Sequence, residues 1–315
     1  MIYGQISGID KPVSRLVQGT VMINSAEKEQ GFRLLDAIFE QGCTAFDTAH
    51  VYGNGDNERT VGEWIRTRNI RDQVVVLGKG AHPMHGRNRV TPEDIRSDIS
   101  ESLERFGFDK IDLYLLHRDD PSVPIDEIVG ALDDEKRAGR IDAYGGSNWT
   151  HQRIQSAKEY AEQKGKTPFA ASSPHFSLAK QVKPPWEGCV TITGDAEAQE
   201  FYRANQMPLF AWSSLAGGFF SGRFRRDNLA EFDGYLDKLC VDSYCVEENF
   251  QILDRVQEVA RERGLTAAQI ALAWAFAQGF NLFALVGCSA PEEFRENAKA
   301  LQLADALQPF IQQLD

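Results

Sequence analysis

Short, continuous apolar runs recur along the chain, separated by longer amphipathic stretches. The runs lie at 14–20 (SRLVQGT), 44–49 (TAFDTA), 74–80 (VVVLGKG), 111–117 (IDLYLLH), 141–148 (IDAYGGSN), 169–176 (FAASSPHF), 208–214 (PLFAWSS) and 282–289 (LFALVGCS). They do not alternate apolar with polar, so each reads as a strand buried on both faces. Helix starts are legible between them. Thr91-Pro92 puts Pro at the first position of one helix. Thr266 with Gln269 forms a capping-box pair ahead of IALAWAFAQ, and Ser289 with Glu292 forms another ahead of the final helix. Buried strands spaced by helix-length connections predict an α/β fold, a (β/α)8 TIM-type barrel in one domain over 1–315. A doubly wound sheet competes, but FDTAHVYGNG is no glycine-rich dinucleotide loop and no G-x-G-x-x-G follows an early strand. The irregular stretches 177–192 and 216–248 are long enough to be functional loops, expected as lids over the C-terminal face of the strands.

Composition narrows the classes. The chain has 315 residues, and 42% hydrophobic with 25% charged residues suits an ordinary globular protein. A net charge of −12 argues against a nucleic-acid partner or an anionic membrane surface. No stretch approaches the ~20 apolar residues of a membrane span, and residues 1–23 lack the pattern of a signal peptide. The cysteines at 43, 189, 240, 245 and 288 are odd in number and show neither pairing nor zinc spacing. A reducing compartment, the cytoplasm, and no bound metal are the expectations.

The strand ends carry candidate chemistry, because catalytic groups of such barrels collect there. In order these are Asp47 and Tyr52 (with His50 between them), Lys79 and His117. Each alone has an ordinary structural explanation; their chemistry fits together. A phenol titrates near pKa ~10, too high for easy acid/base work at neutral pH. An ammonium beside it is expected to lower that pKa, a carboxylate to hold the ammonium, and an imidazole to orient a carbonyl oxygen or relay the proton.

These motifs resemble the aldo-keto reductase superfamily. FDTAHVYG, LGKG, LYLLHRDDP, GGSN and VGCSAPEEFREN occur in that family's order from near residue 14 to near 303. The resemblance implies a (β/α)8 barrel with Tyr52 as general acid/base, Lys79 as the modulator of its pKa, Asp47 as the partner of Lys79, and His117 as the carbonyl-orienting group. It also implies a nicotinamide cofactor extended across the barrel mouth, near Gly19, Thr20 and Asp47. Ser147 and Asn148 would bond the carboxamide and Trp212 would stack on the ring. Ser213, Leu215 and Gly217 would meet the pyrophosphate, and Gly287, Ser289, Glu293, Glu296 and Asn297 the adenosine half.

Three departures from the family pattern bear on specificity. Ser173 stands where Gln is common, so His175 or water is expected to assist the carboxamide. Glu292 and Glu293 occupy a helix's first turn where NADP-preferring members place cations; carboxylates repel a 2′-phosphate but accept from a ribose hydroxyl. NAD(H), or dual use of NAD(H) and NADP(H), is therefore expected. Arg118, His82 and Trp149, with His85 and Arg87 nearby, suggest a polar, sugar-like or anionic carbonyl substrate over an apolar one; the competing reading pairs Arg118 with Asp119 or Asp120. The leading function is a nicotinamide-dependent oxidoreductase on an aldehyde, ketone or sugar. The alternative is a cofactor-sensing interaction protein similar to potassium-channel β subunits. The sequence assigns no oligomeric state.

Overall fold

The computed structural model describes residues 1–311 and 314. The chain parts into two compact units, Met1–Ser173 with Gly287–Pro291, and Pro174–Val286 with the chain from Glu292 onward. The first unit opens on an antiparallel hairpin of β1 (Tyr3–Ile6) and β2 (Ile9–Ser14). It continues through β3 (Leu16–Gly19), α1 (Lys28–Glu40), β4 (Ala45–Asp47), α2 (Asp56–Arg68), β5 (Val75–Gly80), α3 (Pro92–Phe106), β6 (Ile111–Leu116), α4 (Ile125–Arg137), β7 (Ile141–Ser147), α5 (His151–Gln163) and β8 (Ala171–Ser173). The second carries α6 (Ala196–Asn205), β9 (Leu209–Ala211), α7 (Tyr235–Tyr244), α8 (Glu247–Arg263), α9 (Ala267–Phe276), β10 (Leu282–Val286) and all but the first residue of α10 (Pro291–Ile311).

Every expected strand is present, and the parallel strands close in the order β10-β3-β4-β5-β6-β7-β8-β9. This is the expected (β/α)8 barrel. Every residue of β5 and β6 is buried, which is why these strands read as unbroken apolar runs. The hairpin was not legible that way: β1 buries alternate residues and exposes the others, so it presents no continuous run. Among the described residues, no helix is long and apolar enough to cross a membrane.

One local expectation needs correction, and the start of the last helix can be placed. α10 opens at Pro291, so proline takes the first helical position. Proline's fixed φ and missing N–H suit it to that first position. The 216–248 stretch is not irregular throughout, since it holds α7. The other expected starts are observed: Thr91 caps α3 by accepting from Asp94 N–H, and Thr266 and Gln269 cap α9 reciprocally.

Strand register in the first unit brings the candidate residues to one rim. Asp47 lies opposite Leu77, Lys79 opposite Leu115, Leu116 opposite Gly146, and Ser147 opposite Ser173. The glycine pair of β7 serves this closeness. A Cβ on Gly145 would stand 1.9 Å from the Ala171 carbonyl oxygen, and one on Gly146 would fall 2.6 Å from the Trp149 ring. We expect Gly145→Ala to destabilise the protein by about 1–3 kcal/mol, the usual range for overpacking a core, because backbone must shift. Urea denaturation reads this directly; an unchanged midpoint would show that β8 yields freely.

Candidate active site

Asp47, Tyr52, Lys79 and His117 come together in the first unit. Lys79 Nζ lies 2.5 Å from Asp47 Oδ1, and Nζ also donates to the Thr48 carbonyl at 2.8 Å. The pair is nearly enclosed, with Lys79 3% and Asp47 5% exposed. Tyr52 opens a short turn, Tyr52–Gly55, that leads into α2. Its ring centre lies 5.4 Å from Lys79 Nζ and 6.1 Å from the His117 ring, edge to face.

Burial and charge set the protonation states. Burial works against the Lys79 ammonium, but Asp47 and Tyr52 outweigh it and hold the lysine above its usual pKa. The expectation that Lys79 brings Tyr52 below its ordinary value is corrected. Burial is the larger influence on the phenol, and although Lys79 opposes it, the Tyr52 pKa stays above 10.0. Taking a phenolate out of water costs more here than the ammonium returns. His117 is held well below its usual value, first by burial and then by the positive charges of Lys79 and Arg118. Its imidazole is therefore neutral, and its Nδ1 is buried with no hydrogen-bond partner. The site thus offers a protonated phenol, a charged lysine and a neutral imidazole, which together can give a proton to an oxygen and orient it.

His82 and Arg118 belong to the same neighbourhood. The His82 ring lies 5.0 Å from that of His117, and its Nδ1 donates to the Pro83 carbonyl at 2.9 Å. Burial, and then Arg118, lower the His82 pKa. Arg118 is 5% exposed and donates to the His117 carbonyl at 2.8 Å. Asp119 pairs with Arg153 at 3.1 Å, while Asp120 accepts from Asn88 and Ser122. Trp149 sits behind this segment: it is 1% exposed, and its indole N–H donates to the Arg118 carbonyl at 3.2 Å. His85 is exposed, and Arg87 pairs with Asp94 of α3 at 2.6 Å.

The cofactor candidates of the first unit line the strand ends. Gly19 ends β3, and Thr20 donates to the Asp47 carbonyl through its N–H and its hydroxyl. Ser147 Oγ donates to the Ser173 carbonyl at 2.9 Å, and Asn148 Nδ2 to the His117 carbonyl at 3.2 Å. Ser173 Oγ itself is buried and has no hydrogen-bond partner. A buried orphan hydroxyl at the expected carboxamide position fits a bound amide. Gly287 and Ser289 follow β10.

The second unit holds the remaining candidates. Trp212 follows β9, its ring 4.9 Å from His175 and 6.4 Å from Trp186. Ser213, Ala216, Gly217 and Gly218 all have positive φ around Leu215, a left-handed turn of the kind that aims backbone N–H groups at an anion. His175 is fully engaged: Nδ1 meets Thr191 Oγ1 at 2.7 Å, and Nε2 meets Tyr244 Oη at 3.0 Å and Ser177 Oγ at 3.2 Å. Burial pushes its pKa down to about 3. This corrects the expectation that His175 assists the carboxamide. The 177–192 stretch is laced to α7 by Val182 N–H to the Ser243 carbonyl and by Trp186 Nε1 to Tyr235 Oη. On α10, Glu292 and Glu293 are exposed, Asn297 is buried, and Glu296 pairs with Lys299 at 2.7 Å. Sequence reading passed over Arg295, an exposed cation 3.9 Å from Glu292; its place in FREN, one turn beyond the acidic pair, was the available signal. Among the described residues, no cluster of three histidine, cysteine or carboxylate side chains could hold a metal.

The chain is similar to known proteins over nearly its whole length. The sequence profile described as the Aldo/keto reductase family matches residues 15–314. An uncharacterized oxidoreductase of Bacillus subtilis, YrpG, is 27% identical over 93% of this chain and 88% of its own length. A putative voltage-gated potassium channel subunit beta of Schizosaccharomyces pombe is 25% identical over 88% of this chain and 80% of its own. The aldo-keto reductase yakc of the same yeast, named with NADP(+), is 26% identical over 90% of this chain and 82% of its own.

Proposed function

This chain belongs to the aldo/keto reductase family, and on that premise we propose that it interconverts a carbonyl compound and its alcohol with Tyr52 as general acid/base. The observation that carries the reading is the half-buried, protonated phenol beside the Lys79–Asp47 ion pair and the neutral His117. His117 orients the carbonyl oxygen, Tyr52 gives that oxygen its proton, and Lys79 stabilises the phenolate left behind. Asp47 keeps Lys79 charged and in place. A nicotinamide dinucleotide, when bound, would supply the hydride in reduction and accept it in oxidation. Ser147, Asn148 and the orphan Ser173 hydroxyl would hold its amide. Trp212 would stack on its ring, and the left-handed turn of Ser213, Leu215 and Gly217 would take its phosphates. Gly287, Ser289, Glu293, Glu296 and Asn297 would line the adenosine half.

For the cofactor we infer dual use, with NADH bound at least as well as NADPH. Glu292 and Glu293 favour a ribose hydroxyl, while Arg295 gives a 2′-phosphate one cation to meet. For the substrate we infer polar or anionic groups beside the carbonyl, as in small sugars, because Arg118 and His82 adjoin His117. The similarity to a channel β subunit supports a second reading, a cofactor-sensing interaction protein.

The test has two parts. Tryptophan quenching by NADH and by NADPH is measured separately, and then reduction of glyceraldehyde, succinic semialdehyde and butanal is compared. Both cofactors should quench, with the polar aldehydes turned over faster than butanal. Quenching by NADPH alone would sink the acidic-turn argument, and a preference for butanal the polar-substrate argument. Cofactor binding without turnover would favour the interaction protein.

A further inference from the structure

The turn that presents Tyr52 is closed by three local backbone hydrogen bonds, Tyr52 N–H to the Ala49 carbonyl at 3.0 Å, Asn54 N–H to the Val51 carbonyl at 3.2 Å and Asp56 N–H to the Gly53 carbonyl. Gly53, Asn54 and Gly55 take successive positive φ values of 56°, 52° and 86°, so no regular helical ladder runs through it. The chain enters from β4 and leaves into α2, and a non-glycine residue such as Asn54 keeps a left-handed conformation only where the surrounding structure holds it. Support comes from α3. Arg105, in its last turn, donates through Nη1 to the His50 carbonyl at 2.9 Å and to Glu58 Oε2 at 3.0 Å, and through Nη2 to Glu101 Oε2 at 2.9 Å.

The guanidinium also fills the space directly beneath the turn. A Cβ on Gly55 would stand 2.5 Å from Arg105 Nε, so only glycine lets the turn seat there. His50 completes the link to the site. Its N–H donates to the Lys79 carbonyl at 2.8 Å, and its Nε2 meets Glu101 Oε2 at 2.9 Å. One side chain thus grips the residue two positions before Tyr52, the residue three positions after it, and the first helix turn beyond. The His50 peptide that it holds is bonded to the backbone of Lys79. Glu58 is fully buried and the Arg105 side chain 14% exposed, so that pair is enclosed, while Glu101 stands 45% exposed; the forked guanidinium defines the geometry of both contacts.

We propose that Arg105 is a positioning residue of the proton-transfer step: it clamps the Tyr52–Gly55 turn so that the phenol stays in register with Lys79 and His117. The proposal rests on Tyr52 as the proton donor. A strut that merely joins α2 to α3 would change stability and leave turnover alone. The clamp predicts loss of turnover in folded protein.

The experiment uses the full chain with 4-nitrobenzaldehyde and whichever nicotinamide cofactor binds. Arg105→Lys keeps a cation beside Glu58 but loses the fork. The double variant Arg105→Met with Glu58→Gln removes both buried charges and avoids leaving one unpaired. Both should lower kcat about tenfold or more, since misplacing a catalytic group by ~1 Å costs on the order of 100-fold. Cofactor Kd should be unchanged, and the solvent isotope effect on kcat should rise as proton transfer becomes limiting. If either variant is folded by circular dichroism, binds cofactor and turns over at the parental rate, Arg105 is a strut and the proposal is wrong. Should Arg105→Lys fail to fold, the double variant decides. Tyr52→Phe, run alongside, separates the two levels. Full turnover in Tyr52→Phe removes the proton-donor reading itself, whereas its loss there with parental rates in the Arg105 variants removes the clamp alone.

Discussion

Tyr52→Phe loses about 10²–10⁴-fold in carbonyl turnover, the usual contribution of a positioned proton donor, and binds cofactor as before. The substitution deletes one oxygen and leaves the ring, with its packing against His117, in place. Burial holds the phenol above its usual pKa of 10.0, so at neutral pH the hydroxyl is present as the acid that reduction requires. Nothing else in the first-unit cluster replaces it. His117 and His82 are both kept neutral by burial and nearby positive charge, and Lys79 is committed to Asp47 and the Thr48 carbonyl. The measurement is steady-state reduction with a parallel quenching titration. Retained turnover would move the acid role to another group; lost cofactor binding would show that the ring was disturbed. Turnover absent from both the parent and the variant, with cofactor still bound, would instead favour the interaction protein.

Lys79→Met has a second large effect, on stability as well as turnover. It leaves Asp47, 5% exposed, as a buried carboxylate without its ammonium, which costs about 3–5 kcal/mol. Turnover falls too, because the phenolate formed in the transition state loses its counter-charge. Adding Asp47→Asn to Lys79→Met removes the unpaired charge and should recover most of the stability while leaving turnover lost. Urea denaturation of the single and double variants reads the first part, and kcat reads the second. A single variant as stable as the parent would mean that Asp47 finds another partner or is protonated at little cost. A double variant that regains turnover would remove Lys79 from the chemistry.

Much of this was legible because burial on both faces leaves a direct mark. Residues 75–80 and 111–116 read as strands because no position in them faces water. Asp47, Lys79 and His117 stood out because each charged or polar group ends such a run. The hairpin at the N-terminus left no such mark, since one-sided burial breaks an apolar run into alternating residues. α7 was missed for a related reason: only Cys240, Ser243 and Tyr244 are buried along it, too few for a clear stripe. Its pairing with the 177–192 stretch joins segments some fifty residues apart, as between Trp186 and Tyr235. Local pattern has no access to such a pairing.

The direction of the Tyr52 shift was misjudged for a physical reason. A sequence shows that an ammonium can stand near a phenol, but desolvation depends on everything else that surrounds them. The same holds for His175, whose ring nitrogens are taken by Thr191, Tyr244 and Ser177, and for Arg105, which meets the tyrosine turn from a helix fifty residues away. By itself the sequence determined the barrel and the four residues of the candidate site, because strand burial and strand ends are written in residue order. Only the tertiary structure decided their protonation, the partners already committed and the support beneath Tyr52, because those depend on distances and water exclusion between segments remote along the chain.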